Sequence, residues 1–163
     1  MTTFAEVTHR EWIAAPLPTV QSQFADLEHH IRADVHPRLR FEIVRQEPRR
    51  ARYVQVVRLL GLAQRDVFER EVRADGSIVD TSVEGFNRGG TLHFGFAAAP
   101  RNGCSGTEVA ITIRLPLPPL IGPLLRPLLQ AQVRKELRAA AAEDKFDLEQ
   151  RGYEPAPRAL AAA

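Results

Sequence analysis

Five histidines occur in the chain, and three of them, His29, His30 and His36, share one short polar stretch with Asp26 and Glu28. A neutral imidazole offers a nitrogen lone pair and a carboxylate offers oxygen, so this mixture of residue types suits a divalent metal ion. The same stretch also suits a solvated helix face on which Glu28 and Arg32 form an i,i+4 pair. Spacing limits the metal reading. On one unbroken helix His29 and His36 lie ~10 Å apart at ~1.5 Å per residue, and His30 and His36 point in different directions. Two of these histidines can share an ion only if the helix breaks between them, and Pro37 favours such an end.

A carboxylate far along the chain has the matching character. Leu129, Val133, Leu137, Ala140, Asp144 and Leu148 fall in one stripe at ~100° per residue, which turns Asp144 toward the core. A buried carboxylate without a partner costs several kcal/mol, so Asp144 requires a metal or an arginine of the sheet such as Arg114 or Arg65. Other candidates are weaker. Asp80, Ser82 and Glu84 alternate along one strand and read as its wet side, or as polar cavity contacts if the faces are inverted. His93 alternates with Leu92 and Phe94 and is placed on the solvent face, and His9 is a sheet residue beside Glu11. The sequence has no defensible Ser-His-Asp spacing and no phosphate loop, and Cys104 lies in a Gly-rich turn with only Arg101 as a basic neighbour.

The elements that position these groups follow from alternation and turn residues. A strand over Ala5–Ala14 is followed by two short helices, one opening at Pro18 and one over Asp26–Asp34. Strands then cover Arg38–Ile43, Tyr53–Arg58, Gln64–Val72, Ile78–Phe86, Leu92–Phe96 and Thr107–Leu115. Asp75-Gly76 and Gly89-Gly90 mark two of the turns. After a proline-rich entry, Leu124 to Gln150 reads as one long helix, with Gly152 as its stop. A half-solvated meander must bury its apolar face, and this helix is the one element long enough to cover it. The expected fold is therefore α+β: six to seven antiparallel strands curved around a long C-terminal helix. Residues 1–153 form one ligand-binding domain, and 154–163 a disordered tail.

The 163 residues suffice for a core without staples, and one cysteine permits no internal disulfide, which fits a reducing compartment. The N-terminus shows no secretory pattern and no apolar run reaches membrane-spanning length, so a cytoplasmic, soluble protein is expected. Net charge is +2, with arginines interleaved among acids; Arg45, Arg49, Arg50 and Arg52 read as a solvated hairpin tip, not a nucleic-acid site.

In the order of its pieces the chain resembles the START/polyketide cyclase (SRPBCC) superfamily. The likeness rests on the opening strand running into Ile13-Ala14-Ala15-Pro16, then Val20 and Phe24, then Gly106-Thr107 entering the last long strand, then the terminal helix. It implies a helix-grip fold that holds a hydrophobic small molecule, aromatic or polyketide-like, between sheet and helix, and a cyclase-like activity in some members. Phe41, Ile43, Phe94, Phe96, Ile111, Val133 and Leu137 are then the expected ligand contacts, in a monomer or homodimer.

A more local resemblance is to the catalytic domains of Rieske-type ring-hydroxylating oxygenases. Asp26-Leu27-Glu28-His29-His30, Val35-His36-Pro37 and Glu143-Asp144 match their metal-binding pieces. This likeness implies a stand-alone mononuclear metal enzyme, with Fe(II) or another divalent metal held by His29 or His30, by His36 and by Asp144, and with Asp26 bracing a ligand. One cysteine cannot hold a Rieske cluster, so with iron bound either electrons come from another protein or the chemistry is not reductive oxygen activation.

Overall fold

Residues 3–120 and 122–155 are described by a computed structural model of the chain. Strand β1 (Thr3–Ile13) leads through Pro16 into helices α1 (Leu17–Ala25) and α2 (Leu27–Arg32). A meander follows: β2 (Arg40–Gln46), β3 (Arg50–Leu59), β4 (Leu62–Val72), β5 (Ile78–Gly85), β6 (Thr91–Ala98) and β7 (Thr107–Leu117). Helix α3 (Gly122–Phe146) closes the chain and passes into one wide π turn over Asp147–Arg151. Gly152, at φ 68°, ends it in the left-handed conformation that glycine takes most cheaply. The assignment of 156–163 to a tail lies outside the described residues.

All seven strands form one antiparallel sheet in the order β1-β7-β6-β5-β4-β3-β2. Strands β1 and β7 reach further toward one end than alternation alone suggests, because they pair from Thr3↔Leu117 to Ile13↔Thr107. Helix α3 crosses the hollow of the sheet and buries Val133, Leu137, Ala141 and Asp144. Its apolar stripe packs with Val7, Ile13, Val109, Ile111 and Leu115 from β1 and β7, and with Val20 and Phe24 from α1. A smaller cluster of Leu27, Tyr53 and Phe68 ties α2 to the other half of the sheet.

One expectation of strand facing is corrected. Asp80 and Ser82 are buried on the concave side, whereas Glu84 is exposed. The pairing of β4 with β5 jumps from Val67↔Glu84 to Phe68↔Ser82 and leaves Val83 as an extra residue. A bulge of this kind turns the side chains beyond it to the opposite face, so the three residues cannot share one. The buried pair is fully partnered. Arg70 donates through Nε to Asp80 Oδ1 (2.8 Å) and through Nη2 to Oδ2 (2.7 Å), Tyr53 donates to Oδ2 (2.8 Å), and Arg70 Nη1 reaches the Phe24 carbonyl (2.9 Å). Asp66 in turn accepts from Ser82 Oγ and from the backbone and side-chain nitrogens of Asn87, which fixes the β5–β6 loop.

Candidate functional site

The break required between the histidines is a helix terminus of defined geometry. Helix α2 starts at Asp26, whose carboxylate accepts from the His29 backbone (2.9 Å) and from the Tyr153 hydroxyl (3.1 Å). It ends at Ala33, and Asp34 follows with φ 47°. Val35 N–H donates to the His30 carbonyl and Asp34 N–H to that of Ile31, the paired bonds of a Schellman turn. Val35 is buried, and the chain folds back so that the His36 ring stacks on that of His30, with centroids 5.3 Å apart and 30° between planes.

Both rings are oriented by their Nδ1 atoms. His30 Nδ1 lies 2.8 Å from the Asp26 backbone carbonyl, and His36 Nδ1 lies 2.8 Å from Glu143 Oε2. Each partner only accepts, so each Nδ1 carries the proton and each Nε2 faces inward. There the two Nε2 atoms meet one oxygen, Asp144 Oδ1, at 3.1 Å and 3.4 Å. Asp26 thus holds the His30 ring through its main-chain oxygen, while its carboxylate caps the helix.

Asp144 finds imidazoles, not an arginine. Arg65 is paired with Glu84 and Arg114 with Glu6, both on the sheet's exposed surfaces. Burial alone would raise the Asp144 carboxyl, but His36 and His30 beside it hold it well below the usual carboxylate range. Burial would lower His36, yet the charge and hydrogen bonds of Asp144 and Glu143 push it up to about 10. An imidazole Nε2 facing a carboxylate oxygen needs a cation between them, either a proton or a metal.

His29 is turned away from this cluster. Its Nε2 lies 2.7 Å from Asp147 Oδ2, and its ring meets Tyr153 edge-on at 4.7 Å. The π turn brings both Asp147 and Leu148 to the buried side. Gln23 joins the two groups, because its Nε2 donates to Asp144 Oδ1 and to Asp147 Oδ2, each at 3.1 Å. Gln23 Oε1 is buried and has no hydrogen-bond partner among the described residues. Gln23 is not among the site residues expected from the sequence, although its i+3 spacing from Val20 on α1 places it on the inward face.

The cluster opens on a cavity of about 150 Å³ between sheet and α3. Of the expected ligand contacts, Phe41, Phe94, Ile111, Val133 and Leu137 line it. Ile43 and Phe96 do not; Ile43 packs against the Tyr53 cluster, and Phe96 meets Phe24 edge-on at 5.3 Å. His30, His36 and Asp144 form one polar part of the wall, and Arg70, Asp80 and Tyr53 form another. His93 is absent from the lining, and His9 bonds to Glu11 on β1. Cys104 is exposed in its turn.

No family model and no curated protein matches the sequence. Solved structures do match its fold. The protein TTHA0849 of Thermus thermophilus superposes with a TM-score of 0.77 at 23% identity, over 91% of this chain and 99% of that one. The Zhui aromatase/cyclase from Streptomyces sp. R1128 gives 0.70 at 19% identity, over 93% and 100%. A START superfamily protein from Mycobacterium smegmatis gives 0.66 at 17% identity, over 88% and 98%. No helix among the described residues is long and apolar enough to cross a membrane. The chain has the helix-grip fold that this START superfamily protein and this aromatase/cyclase share.

Proposed function

We propose that the chain binds an apolar small molecule, aromatic in character, in the cavity between sheet and α3, and acts on it in a cyclase-like manner. The observation that carries this reading is the cavity itself: walls of Phe41, Phe94, Ile111, Val133 and Leu137, with two buried polar clusters and a few further polar side chains such as Gln55 and Asn87. A mostly apolar hollow with few convergent polar groups is the usual form of a small-molecule site. Its size of about 150 Å³ matches a molecule of one ring, and a polyketide-like chain would need the Val133–Asp144 part of α3 to move away from the sheet. The fold shared with an aromatase/cyclase supports the cyclase-like role. Binding of an apolar fluorescent probe, displaced by single-ring aromatics, tests the reading. Leu137→Trp fills the cavity and is expected to weaken binding by about tenfold or more. Unchanged affinity in that folded variant, or no probe binding at all, refutes it.

The convergence of two Nε2 atoms on Asp144 Oδ1 favours a second reading, a mononuclear metal site formed by His30, His36 and Asp144. The three donors lie within 4.8 Å of one another. Bonds of ~2.1 Å to a common ion leave ligand atoms ~3.0–3.5 Å apart, close to the 3.1 Å and 3.4 Å observed here. The Nδ1–H bonds to a backbone carbonyl and to Glu143 are the bracing that metal-binding imidazoles use. Two imidazoles and one carboxylate suit Fe(II) or another divalent ion, with positions left for substrate. Metal analysis of protein made without a histidine tag and loaded with Fe(II) or Zn(II) tests it. Near-stoichiometric metal that is lost in His30→Ala and His36→Ala but kept in His29→Ala supports the site. Failure to retain either ion removes it.

A further inference from the structure

Large apolar side chains are exposed together at one end of the molecule. Leu60, Leu62, Phe86, Leu120, Leu124 and Leu128 all lie there, with Leu120 96% and Leu124 83% exposed. The sheet brings them to one level. Strands β3, β5 and β7 run toward this end and β4 and β6 run away from it, as the pairs Leu59↔Leu62, Asp66↔Gly85 and Thr91↔Arg114 show. The β3–β4 turn, the β5–β6 loop and the β7–α3 connection therefore lie at the same end of the sheet. The first turns of α3 stand clear of the body, since residues 123–128 are all exposed.

One of these side chains is held at a conformational cost. Leu60 and Gly61 form a two-residue turn with φ of 51° and 78°. Asparagine, aspartate or glycine adopts the first of those positions readily, whereas a leucine is strained there. An exposed leucine at such a position gains nothing from burial within this chain, so its apolar surface is left for something outside.

The charge around these tips indicates what that is. Arg58, Arg88 and Arg126 are exposed, and none has an ion-pair partner among the described residues. The segments 58–65, 85–90 and 116–128 contain no Asp or Glu. Of the carboxylates nearest these segments, Asp66 is buried against Ser82 and Asn87, and Glu84 and Glu6 are taken by Arg65 and Arg114. Protruding apolar tips among free arginines match a surface that is apolar inside and anionic at its boundary. A second copy fits less well, because like-charged arginines would face one another.

We infer that this end docks on an anionic lipid surface, with Leu60, Phe86, Leu120 and Leu124 entering the acyl boundary and Arg58, Arg88 and Arg126 meeting lipid phosphates. Leu59, Val57 and Leu115 of the cavity wall lie at the same end. Docking itself does not depend on what the cavity holds.

Co-sedimentation of the full chain with vesicles tests this, using phosphatidylcholine alone or mixed with phosphatidylglycerol. Binding to the anionic vesicles is expected, about tenfold or more weaker on phosphatidylcholine alone. Leu120→Ser with Leu124→Ser is expected to abolish it, and Arg58→Glu with Arg88→Glu and Arg126→Glu to remove the preference for anionic lipid. All these positions are exposed, and unchanged circular dichroism and thermal midpoints confirm that the variants fold. No binding at millimolar lipid overturns the inference. So does binding that the serine variant retains, or a concentration-dependent dimer in analytical ultracentrifugation that the serine variant alone dissolves.

Discussion

His30 and His36 stack face to face, 5.3 Å between ring centroids, and both aim Nε2 at the same oxygen of Asp144. The arrangement concentrates positive charge on one buried carboxylate, so the carboxylate holds the cluster together. Asp144→Asn leaves two oriented imidazoles without their counter-charge. The expected loss is about 3 kcal/mol of unfolding free energy in the metal-free protein, measured by denaturant titration. A loss under about 1 kcal/mol would show that the pair contributes little.

The pH dependence of the metal-free protein follows from the same contacts. His36 is raised from 6.5 to about 10, so its contribution is complete below pH 6.5 and is lost as pH climbs toward 10. Asp144 is depressed from 3.8, so its contribution is present above that value and is lost as pH falls below it. Unfolding free energy should therefore decline from pH 6.5 to 10, and the decline should flatten in His36→Gln. An equal alkaline slope in both proteins would contradict the assignment.

The Arg70–Asp80 pair is bidentate, buried and backed by Tyr53. Asp80→Asn alone strands a buried guanidinium and should cost about 3–5 kcal/mol. Arg70→Met combined with Asp80→Asn should cost less than the sum of the single changes, by more than about 1 kcal/mol. Additive losses in the double-mutant cycle would mean that the two groups are not coupled.

Gln23 is expected to link the two histidine–carboxylate groups. Gln23→Leu removes the donor shared by Asp144 and Asp147 and should destabilise the fold by about 1–3 kcal/mol. It should also move the ring NMR signals of His29 and His36 together. Movement of only one ring would place the link elsewhere.

The sequence by itself determined the order of elements and the face of the long helix. These rest on local periodicity, and Val133, Leu137 and Asp144 are buried as the helical stripe requires. It also determined that histidines flanking Asp26 and Pro37 could meet a metal only across a broken helix. Which histidines converge was decided in three dimensions. The Schellman turn at Asp34 returns His36 onto His30, and the π turn at Asp147 supplies His29 with a separate carboxylate. Likewise the bulge at Val83 put Glu84 on the face opposite Asp80 and Ser82, a matter of pairing between strands that alternation along one strand does not contain. The cavity too belongs to tertiary structure, because the space left beside α3 depends on how sheet curvature and side-chain volumes match, and neither is a property of any local segment.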